Sequence, residues 1–294
     1  MHFGDQLISL PIGWQWYFTG LVFLGGLCWG SFLNVCIYRI PRQLSIVLPP
    51  SHCPRCQRYI AWYDNIPLVS YLVLRARCRH CNSSISPRYF LIELLTGLLF
   101  VLVWFKFMRL PGAVIPGLAH LYSIWSVPVY WVAVAGLIVG TFVDFEHMII
   151  PDRVTWGGIA TGLVLSALVP EIHFQDALPG SVPWYAGAIE AAKGAVVGFG
   201  FLWGVAFLGK LAFKRDAMGF GDVKLMGAIG AFLGWKAVLF TIIVSSLAGS
   251  LVGITLIALK RKQLQSKIPY GPYLALAALL WIMWGPTWWK AYAD

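Results

Sequence analysis

Apolar runs of about 20 residues alternate with short polar clusters along the whole chain, the pattern of helices that cross a bilayer rather than of half-buried strands. The first run extends from Trp14 to Ile40 and carries no charge before Arg39. The second runs from about Tyr89 to Phe107, the third from about Val127 to Val143, the fourth over about 154–169 and the fifth over about 188–209. The sixth opens on Gly219-Phe220-Gly221-Asp222 and ends near Trp235, the seventh fills 237–259 without a charge, and the eighth covers about 270–288. Pro151 breaks the chain between the third and fourth runs. Only Gly234, Trp235 and Lys236 remain for a turn between the sixth and seventh. The expected fold class is therefore an all-α polytopic membrane protein of about eight transmembrane helices. It divides into residues 1–38 (N-terminus and first helix), 39–88 (a polar insertion) and 89–294 (a seven-helix core).

Composition agrees with this. Apolar residues make up 59% of the chain and charged residues only 12%, where a soluble domain carries about 25% charge; the mean hydropathy is +0.73. The net charge of +10 follows from the clustering of Lys and Arg in loops that face the cytoplasm, so nucleic acid is not an expected partner and the lipid bilayer is. Residues 39–88 hold arginines 39, 42, 55, 58, 75, 77, 79 and 88 against one acid, Asp64, which places this insertion inside and the N-terminus outside. The cations at 210, 214 and 215 and those of 260–267 mark further cytoplasmic ends, while 170–186 carries Glu171 and Asp176 and no cation, as an outside loop does.

The insertion contains Cys53-Pro-Arg-Cys56 and Cys78-Arg-His-Cys81. Two such knuckles suit a closed tetrahedral site of four thiolates, hence a structural zinc on Cys53, Cys56, Cys78 and Cys81. The other reading of this tetrad is redox-active or merely packed cysteines. A reducing cytosol argues against disulfides, and with four thiols present His80 is expected at the surface. Cys28 and Cys36, inside the first span, read as small core hydrophobes. Asn34 is polar at depth, and two readings stand for it, a packing hydrogen bond or a catalytic role.

Ionisable groups at the edge of hydrocarbon are costly to place. With odd-numbered spans ending inside and even-numbered ones beginning there, Asp144, at the exit of the third run, and Asp222, at the entry to the sixth, share the cytoplasmic face. Two adjacent carboxylates share a proton and titrate as a pair; the ionised one can draw a proton from water while the protonated one polarises a peptide carbonyl. Gly219 and Gly221 allow close approach of an extended peptide. Asp222 also fits the role of helix N-cap, Asp152 that of a cap to the fourth span, and Glu146 competes with Asp144. Lys224 is expected to snorkel at the surface.

Gly30-Ser-Phe-Leu-Asn34, the two knuckles, Tyr63-Asp-Asn-Ile-Pro67, Glu93-Leu-Leu-Thr-Gly97, Val143-Asp-Phe-Glu-His147, Met218-Gly-Phe-Gly-Asp222-Val-Lys224 and Pro269-Tyr-Gly-Pro-Tyr273 together resemble, nearly end to end, the type IV prepilin leader peptidases. One departure is Ala217, where a glycine is common. The resemblance implies a bifunctional enzyme of the bacterial inner membrane that cleaves the leader of type IV prepilins or type II secretion pseudoprepilins on the cytoplasmic side and then N-methylates the new N-terminal residue with S-adenosylmethionine. It assigns catalysis to Asp144 and Asp222 and metal binding to the cysteine tetrad. It also points to Glu93 and Gly97 for the methyl-transfer half; the competing reading is a buried hydrogen-bonded acid and a helix-packing glycine. The rivals are a presenilin-like GxGD intramembrane protease, which lacks the Cys-rich insertion, an ion-coupled carrier, and a non-enzymatic zinc scaffold.

Overall fold

The computed structural model describes residues 12–107, 125–174, 181–214, 218–259 and 269–293. The cationic stretch 260–267, Arg215, Ala217 and Asp176 lie outside the described residues. Among those described there is no β-strand, only two isolated bridges, and five helices are long and apolar enough to cross a membrane. The chain falls into two compact units, Met1–Ala113 and Val114–Asp294.

The first unit is built on α1 (Ile12–Arg39) and α3 (Pro87–Phe107), with the short α2 (Val69–Val73) and a single 3₁₀ turn, Trp62–Asn65, between them. The two long helices meet backbone to backbone. A Cβ on Gly26 would lie 2.8 Å from Gly97 Cα, and one on Gly30 would lie 2.6 Å from Glu93 Cα. Small residues at this seam bring two apolar helices into van der Waals contact where lipid offers no hydrophobic drive. Cys36 is buried along α1, but Cys28 is exposed on its other side, so only one of the two belongs to the core.

The knuckles are two copies of one turn. Cys53 N–H donates to Arg58 O and Gln57 N–H returns to Cys53 O; Cys78 N–H donates to Ser83 O and Asn82 N–H returns to Cys78 O. Gln57 and Asn82 occupy the left-handed region at φ 57° and 54°, and the bridges His52–Tyr59 and Arg77–Ser84 close the two turns.

The second unit contains α4 (Ser126–His147), α5 (Asp152–Leu168), α6 (Trp184–Phe213), α7 (Phe220–Ala258) and α8 (Gly271–Ala293). The first half of α7 is its core, buried without a break from Asp222 to Gly234. Glycines on the neighbours admit it: a Cβ on Gly162 of α5 would lie 2.8 Å from Ala231 Cβ, and one on Gly198 of α6 would lie 2.5 Å from Met226 O. Within α7 the backbone breaks at Gly234, φ 82° and ψ 171°. Val238 Cγ2 lies 3.0 Å from the Cβ position of Gly230, although eight residues of straight helix span about 12 Å. The chain therefore turns back on itself at Gly234, and the sixth and seventh runs form a hairpin. Ser166 Oγ donates to Ala231 O at 3.1 Å, and His173 Nε2 lies 2.9 Å from the same hydroxyl. These groups serve a carbonyl whose helical partner lies beyond the break.

Candidate functional site

Asp144 lies inside α4, whose helix continues one turn beyond the expected end before Met148 adopts a left-handed conformation and donates its N–H to Asp144 O at 2.9 Å. The carboxylate is 5% exposed. Its Oδ2 accepts the N–H of Gly271 at 2.9 Å, the first residue of α8, so the positive end of that helix faces the acid. The tight fit requires glycine there, because a Cβ on Gly271 would sit 2.9 Å from Asp144 Oδ2.

Asp222 stands in the first turn of α7 and is 8% exposed. Gly219, not Asp222, is the N-cap residue. Asp222 N–H donates to Gly219 O at 3.1 Å, and its own Oδ2 lies 3.0 Å from the Cβ position of Gly219. The backbones beside the two aspartates meet on one side chain. Ile150, 7% exposed, has its Cβ 3.1 Å from the Cβ position of Gly221 and its Cδ1 3.2 Å from that of Gly271. The residue next to Asp222 and the residue bonded to Asp144 thus rest on the same isoleucine.

Two carboxylates that approach closely can share one proton and present an acid and a base to one carbonyl. The competing acids are placed elsewhere. Asp152 opens α5 without a side-chain capping bond and forms an ion pair with Lys224. Lys224 is 8% exposed and not a surface lysine; its ammonium also lies 5.1 Å from the Phe220 ring centre. Glu146 is exposed in the last turn of α4 rather than in a link. Ile150, Gly271 and the Asp152–Lys224 pair carry no chemistry that the sequence announces. The only signal for Gly271 is a Pro-Tyr-Gly-Pro turn at the head of an apolar run.

In the first unit, one sulfur each from Cys53, Cys56, Cys78 and Cys81 lies within 4.8 Å of the others, and Cys53 Sγ and Cys81 Sγ are 3.8 Å apart. Thiolates 2.3 Å from a central zinc stand about 3.8 Å apart at tetrahedral angles, so the donor set fits that ion. Burial works against ionisation of Cys53, yet the N–H groups of Cys56 and Arg55 and the side chains of Cys78 and Ser83 hold its thiol down to about 6. His80 is exposed, near Arg58, as expected. Glu93 is 8% exposed, and its Oε2 accepts the N–H of Leu68 at 2.9 Å. Gly97 is a packing glycine, its Cβ position 2.8 Å from Leu27 Cδ2 and from the Phe23 ring.

Residues 24–107 match the Bacterial Peptidase A24 N-terminal domain and residues 131–254 match the Type IV leader peptidase family. Similar proteins named prepilin leader peptidase/N-methyltransferase include one from Aeromonas salmonicida (strain A449), 36% identical over 96% of this chain and 96% of its own length. Another, from Pseudomonas aeruginosa, is 33% identical over 96% of this chain and 94% of its own. A third, from Myxococcus xanthus, is 41% identical over 85% of this chain and 66% of its own. No solved structure matches the chain. Two family domains in this order, and relatives aligned over nearly the full length, show that the chain belongs to the type IV leader peptidase family.

Proposed function

We propose that this chain is a bifunctional enzyme of the bacterial inner membrane. It cleaves the leader of type IV prepilins or type II secretion pseudoprepilins at the cytoplasmic face and N-methylates the new N-terminal residue with S-adenosylmethionine. The observation that carries the peptidase half is that Gly221, next to Asp222, and Gly271, bonded to Asp144, rest on the same residue, Ile150. A water held between the two carboxylates loses a proton to the ionised one as it attacks the scissile carbonyl, and the protonated one donates a hydrogen bond to the carbonyl oxygen. Asp144, whose Oδ2 accepts the N–H of Gly271 at the head of α8, is assigned as the base and Asp222 as the acid. Gly219 keeps the backbone at the head of α7 exposed for an extended peptide, while Gly221 admits Ile150.

Zinc on Cys53, Cys56, Cys78 and Cys81 would have a closed shell, with no open position for chemistry, and would cross-link the two knuckles. The methyl-transfer half belongs to the first unit, where Glu93 is a buried acid on the wall of a cavity of about 600 Å³. That volume is of ligand size. The cationic insertion supports the cytoplasmic placement.

The test is incubation of the purified protein with a prepilin, with and without S-adenosylmethionine, followed by mass spectrometry of the product. The expected result is loss of the leader in both cases and a 14 Da gain, roughly one methyl in place of hydrogen, only with the donor. Asp144→Asn and Asp222→Asn should each lower cleavage at least about a thousandfold while the protein stays folded. Cleavage retained by both variants would remove the dyad.

A further inference from the structure

The cavity of about 600 Å³ in the first unit lies between α1, α3 and the insertion, and its wall is strongly cationic, with Arg39, Arg42, Arg55, Arg58, Arg79 and Arg88 all on it. Two acids also line it, Asp64 and Glu93. Asp64 is already neutralised, its two oxygens taking Arg79 Nε and Nη2 at 2.8 and 2.6 Å. Glu93 forms no ion pair among the described residues; it accepts the Leu68 N–H, and the Ser31 hydroxyl lies beside it.

Asn34 shares this wall and is 2% exposed. Its Nδ2 donates to Gly30 O at 3.3 Å and to Tyr89 O at 3.1 Å. A flipped amide would press its oxygen against two carbonyl oxygens, so the orientation is determined. Oδ1 is then a buried acceptor with no partner, a state that costs free energy until a donor arrives. Gly30 abuts Glu93 and Asn34 reaches Tyr89, in each case one helical turn further along, so the orphan oxygen and the unpaired carboxylate lie about a turn apart on one seam.

We propose that Glu93 and Asn34 form a receptor for a primary α-ammonium, the new N-terminal amine of the cleaved pilin. This rests on the N-methyltransferase reading above. Of the two acids on this wall Asp64 is taken by Arg79, whereas Glu93 and Asn34 Oδ1 offer acceptors that no ion pair among the described residues occupies. An α-amine arrives mostly protonated at neutral pH and cannot attack until it loses a proton. Glu93 takes that proton, and Asn34 Oδ1 accepts a remaining N–H and orients the lone pair. The nitrogen then bonds to the methyl carbon of the sulfonium donor, the carbon–sulfur bond breaks with its electron pair going to sulfur, and the products are a secondary ammonium and a neutral thioether. The proton on Glu93 leaves to water.

The experiment measures binding to the full-length protein in detergent of a phenylalanine-initiated pilin peptide and of its Nα-acetylated counterpart, for the wild type, Glu93→Gln, Asn34→Leu and Asn34→Asp. The wild type should prefer the free amine by about tenfold or more, as a charge-assisted hydrogen bond gives. Glu93→Gln and Asn34→Leu should remove most of that preference without weakening the acetylated peptide, and Asn34→Asp, which keeps an acceptor, should retain it. A purely structural role would weaken both peptides equally. Unchanged preference in Glu93→Gln and Asn34→Leu overturns the proposal, as does loss of S-adenosylmethionine binding with the peptide preference intact, which would assign the ammonium to the donor. Peptide binding is read independently of methyl transfer, so absence of transfer by the wild type counts against the enzymatic reading and not against the receptor.

Discussion

The most demanding test of the aspartate geometry is Gly271→Ala, which replaces one hydrogen by a methyl group at the start of α8. The new Cβ would lie 2.9 Å from Asp144 Oδ2, 3.2 Å from Ile150 Cδ1 and 3.4 Å from Asp144 Cβ. Comfortable contact needs about 3.5 Å or more, so the carboxylate has to retreat by roughly half an ångström. That movement lengthens the 2.9 Å bond from Gly271 N–H, and a hydrogen bond to a charged group contributes about 1.5–3 kcal/mol. The expected outcome is a fall in kcat/KM for leader cleavage of between about tenfold and a hundredfold. Stability should fall by no more than about 1–2 kcal/mol, since alanine's helix preference over glycine, up to about 1 kcal/mol, offsets part of the weakened bond. The assay pairs cleavage of a prepilin with the thermal midpoint in detergent. Gly136→Ala, in the helix that carries Asp144, is the control, as its Cβ position has nothing within 4 Å. Wild-type cleavage by Gly271→Ala, or an equal loss in Gly136→Ala, would refute the reasoning.

Three further outcomes are expected. Purified protein should contain about one zinc per chain, lost in Cys53→Ser, measured by inductively coupled plasma mass spectrometry; a folded, metal-free wild type would contradict the tetrad's role. Asp152→Ala should destabilise the protein by roughly 1–3 kcal/mol more than Lys224→Met, read as the larger fall in thermal midpoint, because the first strands a buried ammonium and the second removes it. Burial holds the His173 imidazole down to about 4, against a smaller opposing pull from Glu190. Its folded pKa is thus below the unfolded value near 6.5, so its contribution is complete above pH 6.5 and is lost as pH falls towards 4, about 3 kcal/mol in all. Thermal midpoints across that range should drop for the wild type and flatten in His173→Gln.

Much of this protein was legible from local pattern. Hydropathy over a window of one span places the helices, because burying some 20 residues of backbone in lipid requires a helix whatever lies beside it. The paired knuckles are equally local: spacing alone sets two sulfurs on one turn, and Gln57 and Asn82 complete the repeat. Asp144 and Asp222 stand out because each is an acid beside an apolar run. Lys224 was not legible in this way, since a lysine near a helix start reads as solvated until Asp152, from another helix, is found beside it.

What the chain alone could determine, then, was which segments enter the bilayer, which cysteines pair as knuckles and which acids are exceptional. Only the tertiary structure decided that Ile150 seats both Gly221 and Gly271, that Asp144 is held by the head of α8, and that Asn34 presents an unmet acceptor on the wall that holds Glu93. The physical reason is that hydrophobicity is a property of each residue, whereas these contacts depend on how closely helices approach. That distance is set by glycines on separate helices whose mutual alignment no single segment encodes.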